Sequence, residues 1–252
     1  MAMAGASLAG RIALVTGGAG GIGSAICHQL AREGAQVVIT YNSRAERAHA
    51  LAASLAGDGH LVLPLSVRRS EDIEAASDAV RERYGQLHLL VNNAGTTRVV
   101  PHADLDALDD ALIDEIFQTN CRGAFAMVRR FRPLLEAAGE ALVVNLSSIA
   151  GVTAVGSNVA YCASKAALDS MTKSLARALA PKIRVVSVSP GWVMGEYAKN
   201  ADPAYLARQR ELTPQGRIAE AEDVARAVLA AATLLGFTNG AIIPVDGGRP
   251  LN

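Results

Sequence analysis

Residues 11–40 read RIALVTGGAGGIGSAICHQLAREGAQVVIT, and this stretch decides the fold. An apolar run, a glycine-rich turn, an amphipathic run and a second apolar run follow one another, and the turn contains Gly18-x-Gly20-x-x-Gly23. Glycines let the backbone approach a pyrophosphate closely, and the helix that follows offers unpaired N–H groups to it. The position of the pattern between a strand and a helix favours a dinucleotide-binding unit over a plain strand-to-helix turn.

The alternation of short apolar runs and longer amphipathic runs continues through the rest of the sequence. Short runs that are apolar throughout are typical of parallel strands covered on both faces, and the β-α-β order implies right-handed crossovers. The predicted strands are Ile12–Thr16, Gln36–Thr40, Leu61–Leu65, His88–Val91, Ala141–Asn145, Ile183–Val188 and Ala241–Pro244. The predicted helices are Gly21–Glu33, Arg44–Ala56, Ser70–Tyr84, Leu108–Ala138, Asn158–Ala180 and Ala221–Leu235. We therefore predict an α/β fold: one domain, residues 1–252, with a Rossmann-type doubly wound sheet of about seven parallel strands flanked by helices.

Composition and charge exclude several classes of partner. The chain has 252 residues, of which 50% are hydrophobic, and 24 Lys and Arg balance 24 Asp and Glu, so neither nucleic acid nor a membrane is expected as a partner. Cys27, Cys121 and Cys162 are too scattered for a disulfide framework, and the histidines lack metal-ligand spacing, so no metal is expected. The first residues lack a signal-peptide pattern and no apolar run reaches the roughly 18 residues of a membrane span, so we expect a cytoplasmic protein.

The end of the second predicted strand indicates which dinucleotide binds. NAD-dependent enzymes often place an acidic residue there for the ribose 2′-hydroxyl. This chain has Asn42, Ser43 and Arg44 instead, and its first acidic residue is Glu46. An arginine pairs well with a 2′-phosphate, and its polar neighbours can hydrogen-bond the same group. The sequence therefore favours NADP(H) over NAD(H); the alternative is an Arg44 that merely faces solvent at the start of a helix.

Tyr161 and Lys165 are four residues apart in a predicted helix, so their side chains share a face. A nearby ammonium lowers the pKa of a phenol, which is about 10 in isolation. Such a tyrosine can give a proton to a carbonyl oxygen or take one from an alcohol. Ser147 and Ser148 follow the fifth predicted strand, at the carboxyl edge where open α/β sheets bind ligands. A hydroxyl there can stabilise a developing oxyanion.

Across nearly its whole length, the sequence resembles the short-chain dehydrogenase/reductase family. The shared features are Thr16-Gly17-x-x-x-Gly21-x-Gly23, Asn92-Asn93-Ala94-Gly95, Asn120, Ser148 thirteen residues before Tyr161, Tyr161-x-x-x-Lys165, Pro190-Gly191 and Val245-Asp246-Gly247-Gly248. The resemblance implies that Tyr161 is the general acid/base and that Lys165 holds the nicotinamide ribose and lowers the tyrosine pKa. It also implies that Ser148 orients and stabilises the substrate oxygen, and that Asn120 holds a water in a proton relay. The implied cofactor contacts are Gly17, Gly21, Ile22, Gly23, Asn42, Ser43, Arg44, Ser66, Val67, Asn92, Ala94, Gly95, Tyr161, Lys165, Pro190, Gly191 and Val193.

Within the family, Thr97-Arg98 and the missing acid after the second strand resemble 3-oxoacyl-[acyl-carrier-protein] reductases. We therefore expect NADP(H)-dependent interconversion of a ketone, such as a 3-oxoacyl thioester, and a secondary alcohol. One alternative is an NAD-dependent dehydrogenase of a polyol, sugar or other secondary alcohol. Another is a nucleotide-sensing protein without catalysis, against which the intact catalytic set argues.

Two positions and two stretches depart from the family pattern or carry further expectations. Ser66 stands where the family usually has an Asp that contacts the adenine, and Gly195 stands where a Thr often binds the nicotinamide amide. The stretch 98–110 is longer than in typical acyl-carrier-protein reductases, which implies a different pocket rim. We predict that the irregular stretch 192–216, which begins with Trp192, Met194 and Tyr197, acts as a substrate lid. The resemblance also implies a homotetramer, with a homodimer as the alternative.

Overall fold

Residues 8–195 and 201–251 are described by the computed structural model, and they contain a seven-stranded parallel sheet. The strand order is β3-β2-β1-β4-β5-β6-β7, and every neighbouring pair is parallel. The strands are β1 Ile12–Val15, β2 Gln36–Tyr41, β3 Leu61–Pro64, β4 Leu89–Asn92, β5 Ala141–Leu146, β6 Ile183–Pro190 and β7 Ile242–Val245. The predicted doubly wound sheet is confirmed, with strand ends that differ from the prediction by one or two residues.

Helices cover both faces of the sheet, because the central strands are buried on both sides. One apolar core lies under α1, α2 and α9, and a second lies under α3, α5 and α7. The helices are α1 Gly21–Arg32, α2 Ala45–Ser54, α3 Ser70–Tyr84, α4 Asp110–Phe117, α5 Ala124–Ala137, α6 Ala150–Thr153, α7 Val159–Leu179, α8 Pro203–Glu211 and α9 Ala221–Thr233. None of them is both long and apolar enough to cross a membrane, as far as the described residues extend.

The predicted single helix Leu108–Ala138 is wrong in one respect, because a π-helical segment, Gln118–Gly123, separates α4 from α5. The wider winding turns Asn120 inward, where it is 1% exposed. The segment also packs tightly, since a Cβ on Gly123 would lie 2.8 Å from Cγ2 of Val67. Hydrophobic periodicity does not report such a change of winding, although π segments often occur at functional sites.

The stretch 192–216 is not irregular throughout, because α8 lies inside it. The Asp202 carboxylate accepts a hydrogen bond of 2.9 Å from the Ala204 amide, and Pro203 opens the helix. An acidic N-cap followed by proline is a helix-start signal, so this helix was predictable. Part of the predicted lid, including Tyr197, lies outside the described residues.

Candidate active site

The start of α7 is fixed by Asn158, whose side chain accepts a hydrogen bond of 2.7 Å from the Tyr161 amide. Its Nδ2 donates to the carbonyl of Arg98 at 2.7 Å and to the hydroxyl of Thr97 at 3.2 Å. A buried N-cap therefore ties the first turn of α7 to the loop that follows β4. Tyr161, one turn into the helix, takes its position from this anchor.

Lys165 lies one turn after Tyr161 and is only 6% exposed. Its Nζ donates a 2.7 Å hydrogen bond to the carbonyl of Leu146 at the end of β5, and it lies 5.7 Å from the centroid of the Tyr161 ring. Burial lowers the pKa of Lys165 to about 8, and the attraction of Asp169 acts in the opposite direction. The ammonium is therefore held close to the phenol, as the helical spacing predicted.

Tyr161 and Ser148 meet across the cleft between α7 and the end of β5. Burial raises the pKa of Tyr161, a hydrogen bond with the Ser148 hydroxyl lowers it, and the net direction is upward. The polypeptide alone thus holds a neutral phenol at pH 7, contrary to the expectation of a lowered tyrosine pKa. The reason is that loss of hydration outweighs the favourable contacts. A neutral phenol is the form that donates a proton.

The Asn120 side chain is held by three hydrogen bonds to its neighbours. Its Oδ1 accepts from the Thr96 amide at 2.8 Å, and its Nδ2 donates to the Thr96 carbonyl and to the Ser164 hydroxyl, both at 3.1 Å. The Ser164 hydroxyl in turn donates to the carbonyl of Tyr161 at 2.8 Å. The four predicted catalytic residues therefore lie together, with Asn120 joined to α7 through Ser164.

The glycine-rich turn is shaped by contacts that exclude larger residues. Gly17 has a φ of 62°, in the left-handed region. A Cβ on Gly23 would lie 2.6 Å from the carbonyl oxygen of Gly17. The Asn93 side chain donates to the carbonyls of Thr16 and Gly17, at 2.8 and 3.2 Å. The turn is thus built against the end of β4.

Thr16 and Asn93 are functional candidates that the predicted set omits. The Thr16 hydroxyl accepts hydrogen bonds of 2.9 Å from the amides of Asn93 and Ala94, so it joins β1 to the loop after β4. Both residues belong to motifs quoted from the sequence, but in the structure their side chains form hydrogen bonds with the backbone of the protein itself. Only the strand order, which places β1 beside β4, brings them together.

The turn has the form that a pyrophosphate requires. Gly20 is the N-cap of α1 and supplies no side chain to the first amides, and the first turn carries no acidic residue. A Cβ on Gly21 would meet nothing within 4 Å, so this side of the turn faces open space. Free amides at a helix N-terminus suit an anion. The residues present therefore fit a dinucleotide at this edge of the sheet.

The other predicted cofactor residues also follow the carboxyl ends of the strands. Asn42, Ser43 and Arg44 are exposed after β2, beside the turn, where the Gly18 amide donates to the Thr40 carbonyl at 2.9 Å. Beyond β3, the Ser66 amide donates to the Asp72 carboxylate at 2.9 Å. Val67 also follows β3, Pro190 is the last residue of β6, and the predicted residues that follow β4 and β6 are Ala94, Gly95, Gly191 and Val193.

The Asn92 side chain points into the core, although the sequence predicted a cofactor contact at this position. Its Nδ2 donates to Oδ1 of Asn145 at 2.9 Å and lies 3.4 Å from the carbonyl of Ala124. Alternation along a strand explains the direction, since successive side chains of β4 face opposite sides of the sheet. Asn92 therefore supports the site from beneath.

Within residues 8–195 and 201–251, no cluster of three or more His, Cys, Asp or Glu side chains has the arrangement of a metal site. The same part of the chain contains Cys27, Cys121 and Cys162 as free thiols. Burial raises the pKa of each thiol, so all three stay protonated at neutral pH. The chemistry of the site therefore centres on Tyr161, Ser148 and Lys165.

The known proteins that the chain resembles are named as reductases and dehydrogenases. The model of a family described as enoyl-(acyl carrier protein) reductase matches residues 17–249. The chain is 36% identical to a granaticin polyketide synthase putative ketoacyl reductase of Streptomyces violaceoruber, over 95% of this chain and 96% of that protein. It is also 36% identical to a D-threitol dehydrogenase of Mycolicibacterium smegmatis, over 96% and 93% of the two chains. A solved Pseudomonas aeruginosa RhlG/NADP active-site complex superposes with a TM-score of 0.87 at 33% identity, covering 96% and 97%.

Proposed function

The chain belongs to the short-chain dehydrogenase/reductase family of oxidoreductases, and on this premise we propose that it interconverts a ketone and a secondary alcohol with NADP(H) as the preferred cofactor. The observation that carries the proposal is the convergence of a phenol, a hydroxyl and an ammonium at the carboxyl edge of the sheet that also carries the glycine turn. Tyr161, Ser148 and Lys165 supply these groups. Their spacing suits proton transfer to a carbonyl oxygen.

A bound nicotinamide supplies the hydride for reduction and accepts it in oxidation. In reduction, the Tyr161 hydroxyl gives its proton to the carbonyl oxygen, so the alcohol forms and a phenolate remains. The Ser148 hydroxyl donates a hydrogen bond to the same substrate oxygen and stabilises the charge that develops on it. The Lys165 ammonium stabilises the phenolate, because opposite charges attract strongly where water is excluded.

The residues after β2 support NADP(H) over NAD(H). Asn42, Ser43 and Arg44 are exposed there, and the first acidic side chain in the sequence after them is Glu46. A 2′-phosphate would be attracted by Arg44 and would meet no acid directly after the strand. The NADP complex of the similar P. aeruginosa protein is consistent with this preference. The Ser66 amide, held by Asp72, and Val67 are the proposed neighbours of the adenine.

A 3-oxoacyl thioester is the substrate class we favour, because a ketoacyl reductase is among the relatives of highest identity. The D-threitol dehydrogenase, equally similar, supports the alternative of an NAD-dependent dehydrogenase of a polyol or other secondary alcohol. We also propose that the stretch 192–216 acts as a lid over the substrate. There the Trp192 and Tyr205 rings pack edge to face with centroids 6.0 Å apart. A non-catalytic nucleotide sensor is disfavoured by the assembled catalytic set.

A homotetramer, or a homodimer, is part of the proposal. Phe125 on α5 is 43% exposed, and Ala163 and Ala166 form an exposed strip of small residues on α7. Two such helices can pack closely against their copies, because small side chains allow close approach of the backbones. Light scattering coupled to size-exclusion chromatography measures the mass directly. A monomer at micromolar concentration would refute the proposed oligomeric state.

We also propose a cytoplasmic location.

The test is a set of initial rates with NADPH and NADH in parallel, on 3-oxoacyl thioesters, simple ketones and polyols. The proposal predicts thioester reduction with a strong NADPH preference. Turnover with NADH alone would refute the argument from Arg44, and turnover of polyols alone would refute the acyl substrate. Either result would leave the Tyr161 chemistry standing.

A further inference from the structure

Asp169 is a buried carboxylate that the catalytic scheme does not use. It lies on α7 one turn after Lys165, between the helix and the sheet, and is 7% exposed. Hydrogen bonds from the hydroxyls of Ser147 and Ser187 reach it, yet its Oδ1 has no hydrogen-bond partner among the described residues. A buried acceptor without a partner costs stability and calls for an explanation.

A chain of buried polar side chains continues from Asp169 beneath the site. The Ser187 and Thr172 hydroxyls are 2.8 Å apart, and the Asn145 Nδ2 donates to the Thr172 hydroxyl at 2.8 Å. The next member is Asn92, which donates to Asn145. These residues are uncharged, so Asp169 is the member that brings charge into the network. Its position next to Lys165 is what distinguishes it from a structural polar residue.

The charges that act on this pair come from α7 itself. Lys165 and Lys173 lie one turn before and one turn after Asp169, and both lower the pKa of the carboxyl, which burial raises. The exposed Lys173 is hydrated, whereas Lys165 is buried and depends on its neighbours. Asp169 opposes the burial that lowers the pKa of Lys165 to about 8.

Charged side chains on the elements packed against α7 are engaged elsewhere. On β6, the Arg184 guanidinium donates to the carbonyls of Ala231, Leu235 and Thr238. On α4, Asp110 and Asp114 are exposed and Glu115 pairs with Arg68. In the π segment, Arg122 donates to the carbonyl of Arg68, and burial keeps the Cys121 thiol neutral. The facing side chains Ser147, Ser164 and Ser187 are hydroxyls, while α6 carries no ionisable side chain.

We propose that Asp169, buried one helical turn beyond Lys165 on the same helix, is a positioning residue that holds Lys165 in its charged form. This inference rests on the proposed function, because it assigns Asp169 a part in the same proton transfer. Tyr161 gives up its proton in reduction, and the charge of Lys165 stabilises the phenolate left behind. Without Asp169, the buried lysine loses its proton at a lower pH, and the reduction loses that stabilisation.

The test compares Asp169→Asn with Thr172→Val, a control that removes buried hydrogen bonds from the same network without removing a charge. The chain contains only four lysines, so the ¹³Cε signal of Lys165 is resolved and assigned in lysine-labelled protein by its absence from Lys165→Met. We expect Asp169→Asn to lower the pKa of Lys165 by about one unit and Thr172→Val to leave it unchanged. The alkaline limb of ketone reduction moves to lower pH by the same amount in Asp169→Asn only.

An unchanged Lys165 pKa in folded Asp169→Asn overturns the inference, and so does an equal shift in Thr172→Val. Should Asp169→Asn fail to fold, the reciprocal measurement decides. The ¹³Cγ titration of Asp169 must then show a higher carboxyl pKa in Lys165→Met than in the wild-type chain, because coupling between two sites is mutual. An equal pKa there also overturns it. These titrations need no turnover, so failure of the proposed function, seen as turnover in Tyr161→Phe, is distinguished from failure of this inference.

Discussion

The catalytic wall, which consists of Asn120, Ser148, Tyr161 and Lys165, differs sharply from the cofactor and substrate rim, which consists of Asn42–Arg44, 97–110 and 192–216. Residues of the wall are largely buried and held by hydrogen bonds to strand ends and to one another. The described residues of the rim are mostly exposed. The difference teaches that the fold fixes the chemistry, while the rim is free to change the cofactor and the substrate.

Removing the Ser148 hydroxyl of the wall should have a large effect, exceeded only by removal of the Tyr161 hydroxyl. Ser148→Ala should lower kcat/KM by about 10²- to 10³-fold, because the substrate oxygen loses a donor in the transition state. Thr153→Ala is the matched control, since its hydroxyl lies five residues further along the chain and donates to the Ile149 carbonyl at 3.0 Å. Steady-state rates compare the two variants. An equal loss of kcat/KM in the two variants would mean that the Ser148 hydroxyl has no specific catalytic role.

The glycine turn, which lies beside the Asn42–Arg44 part of the rim, should respond to added side-chain volume. Gly23→Ala places a Cβ 2.6 Å from the Gly17 carbonyl oxygen, so we expect the free energy of unfolding to fall by about 1–3 kcal/mol. Gly21→Ala meets nothing within 4 Å and should not destabilise the chain. Urea denaturation of both variants measures this. An unchanged free energy of unfolding in Gly23→Ala would show that the backbone of the turn shifts to accommodate the added Cβ at little cost.

On the rim, Arg44→Ala should raise the KM for NADPH about tenfold and leave the KM for NADH unchanged, because a charge-assisted hydrogen bond to the 2′-phosphate is lost. The ratio of the two KM values serves as its own control against a general loss of activity. An equal rise for both cofactors would remove Arg44 from 2′-phosphate recognition.

The smallest effect is expected where the stretch 192–216 joins α9. Hydrogen bonds from Arg217 at 2.5 and 2.8 Å lower the pKa of Asp223, which also accepts from the Glu220 amide at 2.9 Å. A lowered carboxyl pKa stabilises the fold above the unfolded value of about 3.9 and loses this effect as the pH falls. Asp223→Asn should therefore lower the free energy of unfolding by about 1 kcal/mol at pH 7.

The pH dependence supplies the control for that prediction. The difference between Asp223→Asn and the wild-type chain should shrink steadily as the pH falls below the unfolded value of about 3.9, and it vanishes only where the carboxyl is protonated in the folded chain as well. Urea denaturation in a series of buffers from neutral to acidic pH checks this. A difference that persists at low pH would point to altered packing of the 217–223 turn rather than to the charge.

The sheet and the wall were predictable from the sequence because their signals are local. Buried parallel strands are short apolar runs, and Tyr161 and Lys165 share a face through helical spacing alone. The π segment at Asn120 was not predictable in this way, since helical residues flank it on both sides. The inward direction of the Asn92 side chain was not predictable either, because it depends on strand alternation, which only the exact end of β4 determines.

Features that depend on long-range contacts needed the structure. Thr16 and Asn93 meet only because β1 lies beside β4, and Asp169 is significant only because β5 and β6 bury it next to Lys165. The pKa of Tyr161 was predicted in the wrong direction for the polypeptide alone, since the sequence carries the nearby ammonium but not the extent of burial. Substrate choice is proposed to depend on the rim, whose described residues are mostly exposed and follow no local sequence pattern.

The central claim is that Tyr161 is the proton donor and acceptor. Tyr161→Phe removes one hydroxyl and keeps the ring, so cofactor binding and stability should be preserved. The account predicts that turnover of the best substrate falls by about 10²- to 10⁴-fold, while NADPH binding measured by fluorescence titration stays within about twofold of the wild-type value. Near-normal turnover in Tyr161→Phe would contradict the account.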